Sequence, residues 1–136
     1  MGVADEIAAV KSSISTHGPG FFVYLFSKNP AVQARFPAYA DKSVDSLKGD
    51  ATFKKHTASV VSKVLEVAAS AGNASALSGH AASLVAMPQH QTVSPQDFKL
   101  VFDNLLGYLD VTLGSYDKAG WDGALKAVTA AYAKAK

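Results

Sequence analysis

Apolar residues in this sequence recur at spacings of three and four along almost its whole length, and that period admits helices and little else. Val3, Ile7, Val10 and Ile14 mark one helical face. Phe53, His56, Val60 and Val64 mark another, with Thr57 beside them. Phe98, Val101, Phe102, Leu105, Leu106 and Leu109 form a third, and Trp121, Leu125, Val128 and Tyr132 a fourth. One apolar run, Phe21 to Phe26, has no period and by itself fits a buried strand. No second strand candidate exists to pair with it, so it reads as a buried helix. The expected class is all-α, with seven to eight helices.

The breaks between these runs are chemically legible. His17-Gly18-Pro19-Gly20 is expected to break or bend the first run. Asn29-Pro30 ends the next, and residues 31–36 read as a short helical turn. Residues 37–49 read as a connector carrying Tyr39, Val44 and Leu47. A long helix should start at Asp50 as its N-cap, run to about Ala71 and stop at Gly72-Asn73. A shorter, Ala-rich helix covers Ala76 to about Met87, where Pro88 ends or bends it. Ser94-Pro95-Gln96-Asp97 is the clearest local signal. Ser94 can cap, Pro95 fits the first helical position, and Asp97 sits where its carboxylate reaches back. That helix ends near Gly114, and the last runs from about Tyr116 to Lys134. No repeat or linker divides the chain, so residues 1–136 read as a single domain.

Composition removes several function classes. With 13 basic and 11 acidic residues scattered along 136, there is no basic stripe for nucleic acid or an anionic membrane. There is no cysteine, which excludes disulfides, thiolate zinc sites and iron–sulfur clusters. No apolar run approaches the roughly 18 residues of a membrane span. The first residues, MGVADEIAAV, lack the basic and apolar regions of a secretory signal, so a cytoplasmic location is expected.

Chemistry rests on the four histidines, His17, His56, His80 and His90. His17 lies in the Gly-Pro break and His80 early in a helix; both read as structural. A histidine inside an apolar stripe costs free energy unless its ring nitrogens find partners. His56 therefore reads either as a half-exposed residue at the stripe's edge or as a group lining a cavity that holds something polar. His90 follows Leu84, Met87 and Pro88 at a helix end. It is either an imidazole interacting with the helix terminus or an axial metal ligand. A lone neutral imidazole suits haem iron better than a compact zinc site, which needs more ligands than the chain supplies nearby.

Phe36, His56 and His90, in that order and register, resemble the globin signature of an aromatic ring against the haem, a distal histidine and a proximal histidine. The resemblance extends from about Ile7 to Tyr132, through Trp121 and the helix after Ser94-Pro95. Among globins the chain is similar to small annelid (terebellid) globins of the dehaloperoxidase type. Lys42-Ser43, Leu47-Lys48, His56-Thr57, Glu66-Val67-Ala68 and Leu84 to Met87 leading to Gln89-His90 carry that likeness. The resemblance implies a globin fold around haem b (iron protoporphyrin IX), with His90 as proximal iron ligand. It places Phe22, Phe36, Tyr39, His56 and Val60 on the distal side, and Leu84, Met87 and Val101 near the proximal side or the haem edge. Pro88, two residues before His90, departs from a continuous last helical turn.

The function so implied is reversible binding of O2 and other small diatomic ligands, with His56 donating a hydrogen bond to the bound ligand. The alternative is a peroxidase of the dehaloperoxidase kind, using H2O2 on halophenols with His56 as acid and base. No carboxylate stands close in sequence to His90 and no arginine near His56; Arg35 is the only arginine. Lys42, Lys63 and His80 are candidate propionate partners, and the chain is expected to be a monomer or homodimer.

Overall fold

A computed structural model of the protein describes residues 2–87 and 94–136. Eight helices are present among the described residues: α1 Val3–Ser12, α2 Ile14–Lys28, α3 Pro30–Gln33, α4 Val44–Lys48, α5 Ala51–Ala69, α6 Ala74–Ala86, α7 Pro95–Thr112 and α8 Lys118–Ala135. The all-α expectation holds. No helix among these residues is long and apolar enough to cross a membrane.

Most boundaries are set by short polar side chains that satisfy backbone donors at helix starts. Phe53 N–H donates to Asp50 Oδ1 at 3.0 Å at the start of α5, as the sequence suggests. Asn73 caps α6 through Ala76 N–H at 3.0 Å, so that helix begins earlier than the Ala-rich run implies. At α7, Ser94 Oγ accepts from Asp97 N–H while Asp97 Oδ2 accepts from Ser94 N–H, a complete capping box. Met87, the residue before Pro88, is extended (φ −65, ψ 129) and closes α6. Proline disfavours helical backbone in the residue before it, which explains the stop. Pro88 and His90 themselves lie outside the described residues.

Three sequence expectations are corrected. The first run breaks at Ser13, not at Gly18-Pro19-Gly20, which lies inside α2. Ser12 Oγ donates back to Ala9 O at 2.7 Å, and such serine bonding loosens a helix. Pro19 removes only the bond to the carbonyl of Ser15, an exposed residue that water can satisfy. The connector over 37–49 contains a further helix, α4, capped by Ser43. The last helix starts at Lys118, after the cap Asp117, whose side chain accepts from Gly120 N–H at 3.0 Å. Tyr116 belongs to the turn before it.

The chain forms two compact units, one of Met1–Ile7 with Leu65–Lys136 and the other of Ala8–Val64. In the first, α6 and α7 both pack on α8. Trp121, Leu125, Val128 and Tyr132 are buried along α8, and the Phe98 ring meets Tyr132 edge-on with centroids 4.1 Å apart. Glu6 is buried here; its Oε1 accepts from Trp121 Nε1 at 2.9 Å and from Asp117 N–H at 3.0 Å. In the second unit α2 packs on α3 and α4. Gly18 permits the backbone of α2 to lie against α5: a Cβ there would come within 2.6 Å of Ala58 N and 2.9 Å of Thr57 C.

Candidate functional site

In the unit Ala8–Val64, the sequence-predicted residues Phe22, Phe36, Tyr39 and His56 form a continuous chain of ring contacts. Phe22 meets Phe36 edge-on at 5.8 Å, Phe36 stacks on Tyr39 at 6.4 Å, and the Tyr39 ring lies 5.8 Å from that of His56. Edge-on and offset arrangements of this kind are the favoured ones for aromatic quadrupoles. Phe26 and Phe53, not singled out as site residues from sequence, complete the cluster. Phe53 meets Tyr39 edge-on at 5.1 Å and Phe26 meets both Phe36 and Phe53. The uninterrupted Phe21–Phe26 run signals an aromatic core but does not say which rings face Tyr39.

His56 has one firm partner. Tyr39 Oη lies 2.8 Å from His56 Nδ1. Tyr39 is buried while His56 is exposed, so the phenol holds the imidazole at the boundary of the packed aromatics. Burial, with the nearby Asp50 carboxylate, raises the Tyr39 pKa, so the phenol keeps its proton. Asp50 is itself held below the usual carboxylate range, chiefly by the Phe53 N–H it caps. Lys42 Nζ stands 3.7 Å from Asp50 Oδ2, both partly exposed.

The buried line of α5 differs from the one drawn from spacing. Phe53, Thr57 and Val61 are its buried positions in this unit, with Thr57 Oγ1 donating to Phe53 O at 2.7 Å. His56, Val60 and Val64 form the neighbouring line: His56 is exposed and the two valines half-buried. In the chain's own packing His56 thus lies at the exposed edge of the apolar stripe. The spacing placed Phe53 and His56 on one face because three residues is only 300° of turn; Thr57, four residues on, completes the buried line because its hydroxyl bonds to its own helix.

A second unanticipated residue is Gln33. It is buried, and its Nε2 donates to Tyr39 O at 2.8 Å and Lys42 O at 2.7 Å. One side-chain amide thus ties down the connector that presents Tyr39. Of the residues expected nearer the iron, Leu84 is buried in α6, Met87 is half-buried at its end, and Val101 is half-buried on α7. His90 lies outside the described residues. Lys63 and His80 are half-buried.

A helical chain with this order of elements matches the globin family model over residues 20–132. The chain belongs to the globin family. It is 32% identical over 130 residues to globin CTT-VIII of the midge Chironomus thummi thummi, covering 90% of this chain and 86% of that protein. Globin CTT-VIIB-4 of the same animal is 33% identical, covering 90% and 81%. Globin CTT-V of Chironomus thummi piger is 30% identical over 131 residues, covering 90% and 80%. Membership brings the family's general character, an all-α protein that binds haem and oxygen.

The residues present suit such a group. Among the described residues no three of His, Cys, Asp and Glu converge as metal ligands. A macrocycle that brings its own ring nitrogens asks for a single imidazole at a time, and His56 presents an exposed one. Val60, one turn after His56 on α5, and Phe36, which stacks on Tyr39, are half-buried apolar residues that the chain's own packing leaves partly uncovered. A flat apolar ligand edged by polar groups matches that surface better than water does.

Proposed function

We propose that residues 1–136 form a single globin domain that holds haem b and binds O2 reversibly, with His90 bonding the iron and His56 serving as distal hydrogen-bond donor. The observation that supports this most is the exposed His56 imidazole, anchored through Nδ1 by Tyr39, whose own ring stacks on Phe36. The haem supplies an iron atom that binds a diatomic ligand. Val60, Phe36 and Phe22 exclude water from the distal side, and His56 donates a proton-bearing nitrogen toward the ligand. The likeness to globins assigns Leu84, Met87 and Val101 to the proximal side or the haem edge.

A hydrogen bond to a partly charged acceptor contributes about 1.5–3 kcal/mol, so His56→Leu should speed oxygen release roughly 10- to 150-fold. His90→Ala should abolish stable haem retention, measured by the visible spectrum after desalting. A His90→Ala protein that keeps haem with an unchanged spectrum overturns the ligand assignment. The likeness to terebellid globins supplies the alternative, peroxide-driven oxidation of halophenols with His56 as acid and base. Turnover with H2O2 and a trihalophenol, compared with that of an ordinary oxygen-carrying globin, separates the two.

A further inference from the structure

We propose that Tyr39 is a positioning residue that fixes the tautomer of His56, placing the ring proton on Nε2 so that this nitrogen is the one offered to a ligand. The inference rests on the reading of His56 as the distal donor and assigns the device that makes it one.

The argument starts from a single contact, Tyr39 Oη to His56 Nδ1 at 2.8 Å. A neutral imidazole carries one proton, so one nitrogen donates and the other accepts, and the hydrogen bond at one determines the role of the other. Two arrangements fit the distance. In one, the phenol O–H donates to Nδ1, and the ring proton sits on Nε2. In the other, Nδ1–H donates to the phenol oxygen, and Nε2 is a bare acceptor. The first uses the phenol proton. The second leaves it seeking another acceptor, and among the described residues His56 is the hydrogen-bond partner the Tyr39 side chain has. Burial of Tyr39 raises the cost of an unused donor.

The phenol is also built to hold still. Its ring is stacked on Phe36 and edge-on to Phe53, and its backbone carbonyl is pinned by Gln33. His56 is exposed, with nothing comparable to restrain it. The restraint therefore runs from Tyr39 to His56 and not the reverse. Nε2–H is a donor and not a base, which serves oxygen retention and works against proton abstraction from peroxide at that nitrogen.

The test is 15N-detected NMR of the histidine rings in the full chain, both haem-loaded, reduced under carbon monoxide, and haem-free. The parent should show His56 with the proton on Nε2 in both. Tyr39→Phe keeps the ring packing and removes only the hydroxyl. It should weaken the tautomer bias by about three- to tenfold, the worth of one ordinary hydrogen bond, and speed oxygen release by a similar factor. The same substitution in a His56→Leu background should leave oxygen release unchanged. Ser94→Ala, at the cap of α7 in the other compact unit, lowers stability but spares the hydroxyl and the rings around it, and should leave the tautomer as in the parent. A parent His56 protonated on Nδ1, or a Tyr39→Phe spectrum identical to the parent's, overturns the inference while leaving haem binding intact. Failure to take up haem overturns the functional reading instead, and the haem-free spectra still decide the role of Tyr39.

Discussion

Glu6 should be among the most costly single residues to lose, although it stands far from His56 in sequence. Its carboxylate is buried, with Oε1 2.9 Å from Trp121 Nε1, and the pair Oε1 and Oε2 3.0 and 3.1 Å from Asp117 N–H. Trp121 is fully buried, so nothing replaces the acceptor when Glu6 is removed. A charge-assisted bond of this kind contributes about 1.5–3 kcal/mol. A negative group at the N-terminus of α8 adds about 0.3–1 kcal/mol. Asp117 is exposed, so water takes over its N–H at little cost. Glu6→Ala should therefore lose about 2–4 kcal/mol, against a total stability of about 5–15 kcal/mol for a domain. Glu6→Gln keeps the shape and one acceptor oxygen for the indole, but turns an amide donor toward Asp117 N–H. It should lose about 1–2 kcal/mol. The assay is urea unfolding followed by far-UV circular dichroism, at fixed haem content, with unchanged slopes as the condition for comparison. In a double-mutant cycle with Trp121→Phe, the coupling should be about 1–2 kcal/mol. Stability of Glu6→Ala within about 0.5 kcal/mol of the parent, or equal losses in Glu6→Gln and the similarly sized Glu6→Met, refutes the reasoning, because a mere packing role predicts no difference between an acceptor and a non-acceptor of like shape.

Other consequences follow from single contacts. Gly18→Ala drives a Cβ into the backbone of Ala58 and Thr57, which cannot rotate away; it should cost about 1–3 kcal/mol in the same unfolding assay. Ser94→Ala removes half of the α7 capping box and should cost about 1 kcal/mol. Gln33→Leu leaves the carbonyls of Tyr39 and Lys42 without their donor. It should lower stability and also loosen Tyr39, so that oxygen release moves in the direction expected for Tyr39→Phe. Asp50 has a folded pKa below its unfolded one, because Phe53 N–H favours the carboxylate. Its contribution is thus present above the ordinary carboxylate range and disappears as pH falls through the lowered folded value. Asp50→Ala should be less stable than the parent at neutral pH, and the gap should close below that value, read by urea midpoints across pH.

The fold was legible because each level of the sequence points the same way. Apolar spacing gave helices, and Asp50 and Ser94 start them where short polar side chains can satisfy free N–H groups. Pro88 stops α6 through the backbone of Met87. The misreading at residues 17–20 has a physical cause. Proline and glycine are counted as breakers, yet their cost depends on what the missing groups leave behind. Pro19 strands only an exposed carbonyl, and Gly18 is needed for a close helix crossing. The true break lies at a Ser-Ser pair, which apolar spacing cannot reveal. The short helix α4 was missed for a related reason: five residues are too few to show a period.

The candidate site was half legible, and the half that was missed is the half that makes contact. Periodicity assigned His56 to α5, and the likeness to globins singled out Phe22, Phe36 and Tyr39. What no spacing could show is that residues 17 positions apart would meet at hydrogen-bond distance. Nor could it show that Gln33 would hold the loop between them from both of its carbonyls. A helix phase is a property of local sequence, whereas the placement of Tyr39 depends on a turn fixed by a buried amide. The difference matters for reading distal histidines in general. An exposed imidazole on an apolar helix edge has two distinct ring nitrogens, and a neighbour bonded to one sets the role of the other. In this chain the neighbour is a buried phenol 2.8 Å from Nδ1, carried by the connector before α5 and not by the helix that bears the histidine.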